Sequence, residues 1–264
     1  LAGVGFWGSL VFYNAYLPEI APVEEHDALS AKGFSYGYLG SSLLLITCLV
    51  LIMVLKVDAQ WAFVLTGIWW FGFAYWCYTV LPDSSPMPTK NGEKSTLWNG
   101  FYELKKVYKQ LSQHESLKKY LSSFFIYSMG VQTVMLMAVY FGSKEIAWSS
   151  QEEQTTGLIV SVLIIQFIAI AGAQLMASLS ARFGNINTLL IVLVLWCFIC
   201  LSALWVTTPV HFYAIAACVG LVMGGIQSLS RSTYAKLLPQ TTDTASYFSF
   251  YDVAEKIGIV VGTI

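Results

Sequence analysis

Apolar residues come in blocks along this chain, each followed by a short polar interval. Eight such blocks can be marked, at 1–17, 36–55, 61–81, 120–141, 156–179, 187–206, 211–229 and 247–264. The block at 36–55 carries no charged residue at all. About 20 apolar residues wound as a helix span the roughly 30 Å hydrocarbon core of a bilayer. One such block could be the buried helix of a large soluble protein, but eight in succession with short connections predict membrane spans. The first and last blocks are cut short by the chain ends, so the chain reads as a fragment of a longer bundle.

Composition sharpens this reading. Of 264 residues, 56% are hydrophobic and 11% charged, with a mean hydropathy of +0.64. A soluble domain carries about a quarter charged residues. The net charge of −1 and the lack of a basic stripe exclude nucleic acid as a partner. Cys48, Cys77, Cys197, Cys200 and Cys218 all fall inside apolar blocks, where a free thiol packs as a small hydrophobe. Three scattered histidines, His26 and His114 in loops and His211 at a span edge, do not make a metal site. No cofactor is expected.

Lys and Arg fall unevenly between the blocks. Alternate connections hold 11 against 2, with Lys256 left inside the last block. The positive-inside rule then places the long connection 82–119, which holds seven lysines, in the cytoplasm. Pro82, Pro86, Pro88 and Gly92 keep its first third irregular. Beyond them Leu97, Phe101, Leu104, Tyr108 and Leu111 recur at helical spacing, opposite Lys105, Lys106 and Lys109. That pattern predicts an amphipathic helix lying on the inner membrane surface.

An internal echo suggests a duplication. Leu17–Pro18 closes one block and Phe34–Ser35–Tyr36 opens the next; six blocks later Leu238–Pro239 and Phe248–Ser249–Phe250 do the same. A parallel repeat of six helices would leave this trace, with a binding site between the halves at mid-membrane. On that basis residues 1–81 close an N-terminal bundle as spans four to six, 82–119 form the cytoplasmic linker, and 120–264 make spans seven to eleven of a C-terminal bundle.

Polar groups at membrane depth each call for a reason. Gly220, Gly224, Ser228 and Ser232 repeat every four residues, a smooth face for a neighbouring helix. Gln227 and Arg231, also four apart, present an amide and a cation elsewhere on the same helix; a snorkelling Arg231 is the plainer alternative. Asp252 and Lys256 stand one turn apart and can neutralise each other, with Glu255 as a second carboxylate. Such a group suits a gate or proton coupling, or simply lets the helix end rest at the surface. Asn14, Gln132, Gln166 and Gln174 can line a polar cavity or link helices by hydrogen bonds. The aromatic pairs Trp69–Trp70 and Tyr75–Trp76 read as packing or interfacial anchors.

Several stretches resemble the vacuole-effluxer-like branch of the major facilitator superfamily, in its bacterial form. They are Gly5-Phe-Trp-Gly-Ser-Leu-Val-Phe-Tyr-Asn-Ala-Tyr-Leu-Pro-Glu19, Lys32-Gly-Phe-Ser-Tyr-Gly-Tyr-Leu-Gly40, Gly130-Val-Gln-Thr-Val134, Gly224-Gly-Ile-Gln-Ser-Leu-Ser-Arg-Ser232 and Phe250-Tyr-Asp-Val-Ala-Glu-Lys256. The resemblance implies a twelve-span, all-α fold of two six-helix bundles with alternating access, of which about eight spans are present here. Fungal members are associated with amino-acid efflux from the vacuole during autophagy; bacterial ones largely lack assigned substrates. Two departures matter. The superfamily's loop signature between spans eight and nine keeps Arg182 and Gly184 here but has Ala181 at the place of its acid. Relatives often have an acid before the Gly-Val-Gln motif, where this chain has Met129.

The expectation is a secondary transporter of a small polar solute, an amino acid among the choices, monomeric in a bacterial inner membrane. Asn14, Gln132, Gln166 and Gln227 would bind solute. Arg231, Asp252, Glu255 and Lys256 would gate or couple, with a proton as partner ion, and Arg182 and Gly184 would shape the conformational loop. A lipid transporter on the same fold is the alternative. An intramembrane enzyme is the other, although no His-Glu-x-x-His or Gly-x-Ser-x-Gly motif occurs.

Overall fold

Inside hydrocarbon every backbone amide must find its partner within the chain, which leaves the helix as the natural element for long apolar segments. The computed structural model describes residues 2–81, 97–111, 113–241 and 243–263. The chain forms α1 (Ala2–Ala15), α2 (Leu17–Ile20), α3 (His26–Leu49, continued by a wider π turn at Val50–Val54), α4 (Gln60–Val80), α5 (Leu97–Leu111), α6 (Glu115–Lys144), α7 (Gln151–Phe183), α8 (Asn185–Ser202), α9 (Pro209–Leu237) and α10 (Thr244–Thr263). The irregular segment expected around Pro82–Gly92 lies outside the described residues.

Among the described residues, six helices are long and apolar enough to cross a membrane: α3, α4 and α6 to α9. The other two expected spans are α1, only 14 residues long, and α10, which carries Asp252, Glu255 and Lys256 in its 20 residues. Side chains such as Phe63, Phe71, Trp76 and Tyr78 of α4 point outward, each at least 70% exposed. A water-soluble monomer does not present such a surface, whereas lipid accepts it.

The helices overrun the blocks that announced them. α3 starts ten residues before its expected block, so His26 and Lys32 belong to a helix and His26 is buried, its Nε2 3.1 Å from the Ala21 carbonyl oxygen. The Phe34–Ser35–Tyr36 and Phe248–Ser249–Phe250 echoes therefore lie within α3 and α10 instead of opening them.

α7 and α9 run parallel at very close range. A Cβ at Gly220 would lie 2.5 Å from the Ile165 carbonyl oxygen, at Gly224 2.2 Å from that of Ala169, and at Gly172 2.2 Å from that of Leu221. Backbones approach this closely only where side chains are absent. α6 and α10 are joined to α9 by aromatic rings, with Phe124 stacked on Tyr251 at 4.1 Å and Tyr234 on Tyr251 at 4.8 Å. The hydroxyl of Tyr120 donates to the Ser230 carbonyl at 2.7 Å, and that of Tyr234 to the Tyr247 carbonyl at 2.7 Å. Val107 and Leu111 of α5 are buried in this core. Part of the apolar face of α5 thus packs beside α6 and α10, while Tyr108 on the same face is exposed.

Against this assembly lie the earlier helices. α3 packs antiparallel along both α7 and α9, and α1 packs on α10. That contact between the early and late helices forms a continuous seam.

Candidate functional site

The seam is lined by polar side chains in layers. Nearest the α5 end, the Asp27 carboxylate from the first turn of α3 receives Lys236 Nζ at 2.7 Å, Ser180 Oγ at 2.7 Å and Asn185 Nδ2 at 2.7 Å. Lys236 Nζ also donates to Asn185 Oδ1 at 3.0 Å. One carboxylate therefore ties α3 to the ends of α7, α8 and α9. A buried ion pair stabilises only when its remaining lone pairs are met, and here hydroxyl and amide donors meet them.

One layer deeper, Arg231 is 4% exposed. Its Nε donates to Ser30 Oγ at 3.0 Å, its Nη2 to the Ser30 carbonyl at 3.1 Å, and its Nη1 to Asn14 Oδ1 at 3.4 Å. The rings of Tyr13 and Phe34 lie 5.0 and 4.7 Å from its Cζ, within cation–π range. Asn14 Nδ2 in turn faces Asp252 Oδ1 at 3.5 Å, and Asp252 Oδ2 is buried without a hydrogen-bond partner among the described residues.

Beside it along α10, Glu255 pairs with Lys256 at 2.6 Å and accepts from Gln132 Nε2 at 3.0 Å, while Lys256 Nζ lies 3.6 Å from the Trp7 ring centroid. Further along the seam, Tyr38 donates to Gln227 Oε1, Gln174 Nε2 donates to Ser35 Oγ at 3.0 Å, and Ser41 and Ser42 both donate to Gln166 Oε1 at 2.8 Å.

The structure thus brings together Asn14, Arg231 and Asp252 in one chain of contacts, and Gln132, Glu255 and Lys256 in a second. Gln166 and Gln227 both meet α3. Two sequence expectations change. Lys256 makes its direct ion pair with Glu255, the second carboxylate, while Asp252 turns toward α1. Arg231 does not snorkel; it is held in the seam by Ser30.

Arg182 is exposed on the last turn of α7, outside this network, while Gly184 takes a φ of 81° that caps α7 and opens α8. The Asp27–Lys236 pair had no place among the expected site residues. A charge just inside each of two apolar helix ends was its signal, hidden because α3 was expected to begin at residue 36. On either side of the turn that carries Ala181, Ser180 and Asn185 both donate to Asp27 of α3.

Long apolar helices with outward apolar faces, and, among the described residues, buried charges along an internal seam, define a multi-pass α-helical membrane protein. The model of the family described as vacuole effluxer Atg22 like matches residues 21–264, and the chain belongs to that family. It is 27% identical over 271 residues to the uncharacterized MFS-type transporter YxiO of Bacillus subtilis (strain 168), covering 99% of this chain and 61% of that protein. Autophagy-related protein 22-1 of Penicillium rubens is 25% identical over 261 residues, covering 89% of this chain and 43% of that protein. Autophagy-related protein 22 of Yarrowia lipolytica is 23% identical over 279 residues, covering 92% and 46%. The chain therefore spans less than two thirds of the length of these relatives. No solved structure matches it. The family is one of effluxers and transporter-type proteins, so the intramembrane-enzyme alternative falls away.

Proposed function

We propose that this chain forms part of a secondary transporter that moves a small polar solute by rocking two helical bundles about the seam. The observation that carries the reading is the burial of Arg231, Asp252 and Asp27 where the early and late helices meet. Charges at membrane depth are expensive, and they accumulate where an ion or solute path needs them. Layers of Ser, Gln and Asn side chains favour a polar solute over a lipid chain, which would find few apolar partners there. The description of the family as vacuole effluxers and the transporter-type name of the Bacillus protein support export as the activity. Amino acids are one substrate class compatible with both.

In this reading Gln132, Gln166, Gln227 and Asn14 line the solute path, and Arg231, Asp252, Glu255 and Lys256 exchange partners as the bundles tilt, with a proton as coupling ion. Arg182 and Gly184 shape the loop that accompanies the tilt. Residues 82–119 face the cytoplasm of a bacterial cell whose inner membrane holds the protein as a monomer.

The test is radiolabelled-solute flux through the full-length protein in proteoliposomes. Asp252→Asn and Lys256→Met should each slow flux by about tenfold or more, the loss of one charge-assisted hydrogen bond. Two variants that both transport at the wild-type rate would refute the gate.

A further inference from the structure

Arg231 is a buried guanidinium with no carboxylate within ion-pair distance among the described residues. Its acceptors are all neutral: the Ser30 hydroxyl, the Ser30 carbonyl and the Asn14 amide oxygen. A guanidinium is built to take a planar oxyanion in its fork and is the common choice where a buried carboxylate must be recognised. Two rings hold its plane, Tyr13 and Phe34. Behind it Gly33 leaves the space: a Cβ there would stand 3.1 Å from Nη2 and 2.7 Å from the Tyr13 hydroxyl.

The contact with Asn14 is the weak member of the set. At 3.4 Å to Arg231 and 3.5 Å to Asp252 it is at the limit of a hydrogen bond on both sides. One carboxamide offers its oxygen to the cation and its nitrogen to the anion. A solute carboxylate would present a better acceptor to the same Nη1. A hydrogen-bond donor beside that carboxylate would reach the second acceptor, Asp252 Oδ2, which is buried and has no partner among the described residues. The Arg231 and Asp252 charges cancel, so a carboxylate arriving alone leaves this layer of the seam with a net negative charge. An adjacent donor that carries a positive charge removes that penalty, and a neutral hydroxyl offers Asp252 only the hydrogen bond.

We infer that Arg231 is a carboxylate-binding subsite for the solute, that Asn14 is its internal plug, and that Asp252 receives a donor group carried next to the carboxylate. The inference rests on the transporter reading and adds the recognition chemistry to it.

Binding is measured on the full-length protein in detergent by calorimetry, with acetate, lactate, glycine and glycinamide as probes. Glycine and lactate should bind more tightly than acetate, and glycinamide, which lacks the carboxylate, should bind weakest. Glycine ahead of lactate identifies an ammonium as the partner of Asp252; equal binding of the two identifies any donor. Asn14→Ala should tighten carboxylate binding, because the plug is gone. Asn14→Asp should weaken it by about 10- to 100-fold by placing a permanent carboxylate on the guanidinium. Arg231→Gln should abolish the preference for glycine over glycinamide; the Asn14 pair keeps the test decisive if that variant fails to fold. Equal binding of all four probes, or no change across both Asn14 variants, overturns the subsite. Flux that persists in that case leaves the transporter reading standing, whereas probe binding without any flux would sink that reading and spare the subsite.

Discussion

Asp27 shows how much one side chain can carry. It accepts from three donors on three helices and is about 8% exposed, while its partner Lys236 stands in the last turn of α9. Lys236→Met would remove the cationic donor and leave the carboxylate to neutral donors such as Ser180 and Asn185. Breaking a buried pair costs about 3–5 kcal/mol, and the surviving donors bring the expectation here to roughly 2–3 kcal/mol. Melting of the purified protein in detergent reads this loss. The double variant Asp27→Asn/Lys236→Met, which removes both charges, should recover most of it. If instead the two single effects simply add, the pair is not coupled. Gly184 is the second demanding position, because its φ of 81° with ψ 156° belongs to a backbone region that is essentially closed to other residues.

At the scale of helices, hydropathy told where each span lies and failed at where it ends. Blocks of apolar residues mark hydrocarbon, but a helix continues past it as long as its polar turns find partners. α3 does so through Asp27 and Ser30, and α9 through Arg231 and Lys236. The existence of these helices was therefore legible, together with the small-residue face at Gly220 and Gly224. The seam's pairings were not, because they join residues up to 238 positions apart and sequence spacing reports only neighbours on one helix. That is why Asp252 was matched with Lys256, its helical neighbour, when its real contact is Asn14 of α1. The small-residue face makes a clear prediction. At Gly224 a Cβ would meet the Ala169 carbonyl at 2.2 Å, which is backbone and cannot swing aside. Gly224→Val should lower stability by about 1–3 kcal/mol or more through overpacking and part α7 from α9. A melting curve unchanged by that substitution would show that the two helices are free to shift.

For the molecule as a whole, the two groups of helices are joined along α3 and α1, so the proposed rocking would have to pass through the seam. Ser35 and Gln174 face each other across it at 3.0 Å. In a background without the five cysteines, Ser35→Cys with Gln174→Cys and a short thiol crosslinker should stop flux, and cleaving the crosslink should restore it. Flux that continues through the crosslinked protein would place the moving parts elsewhere. The serines along α3 add a consequence for how such motion is possible at all. Ser35 donates to its own Ala31 carbonyl at 2.8 Å as well as to Ile170 at 3.3 Å, and Ser42 donates to Tyr38 at 2.8 Å while also reaching Gln166. Each hydroxyl thus keeps a second acceptor at home on its own helix. In the proposed rocking motion the protons would rotate back instead of being stranded in hydrocarbon, so that the joint could open like a zip fastener whose teeth fold flat.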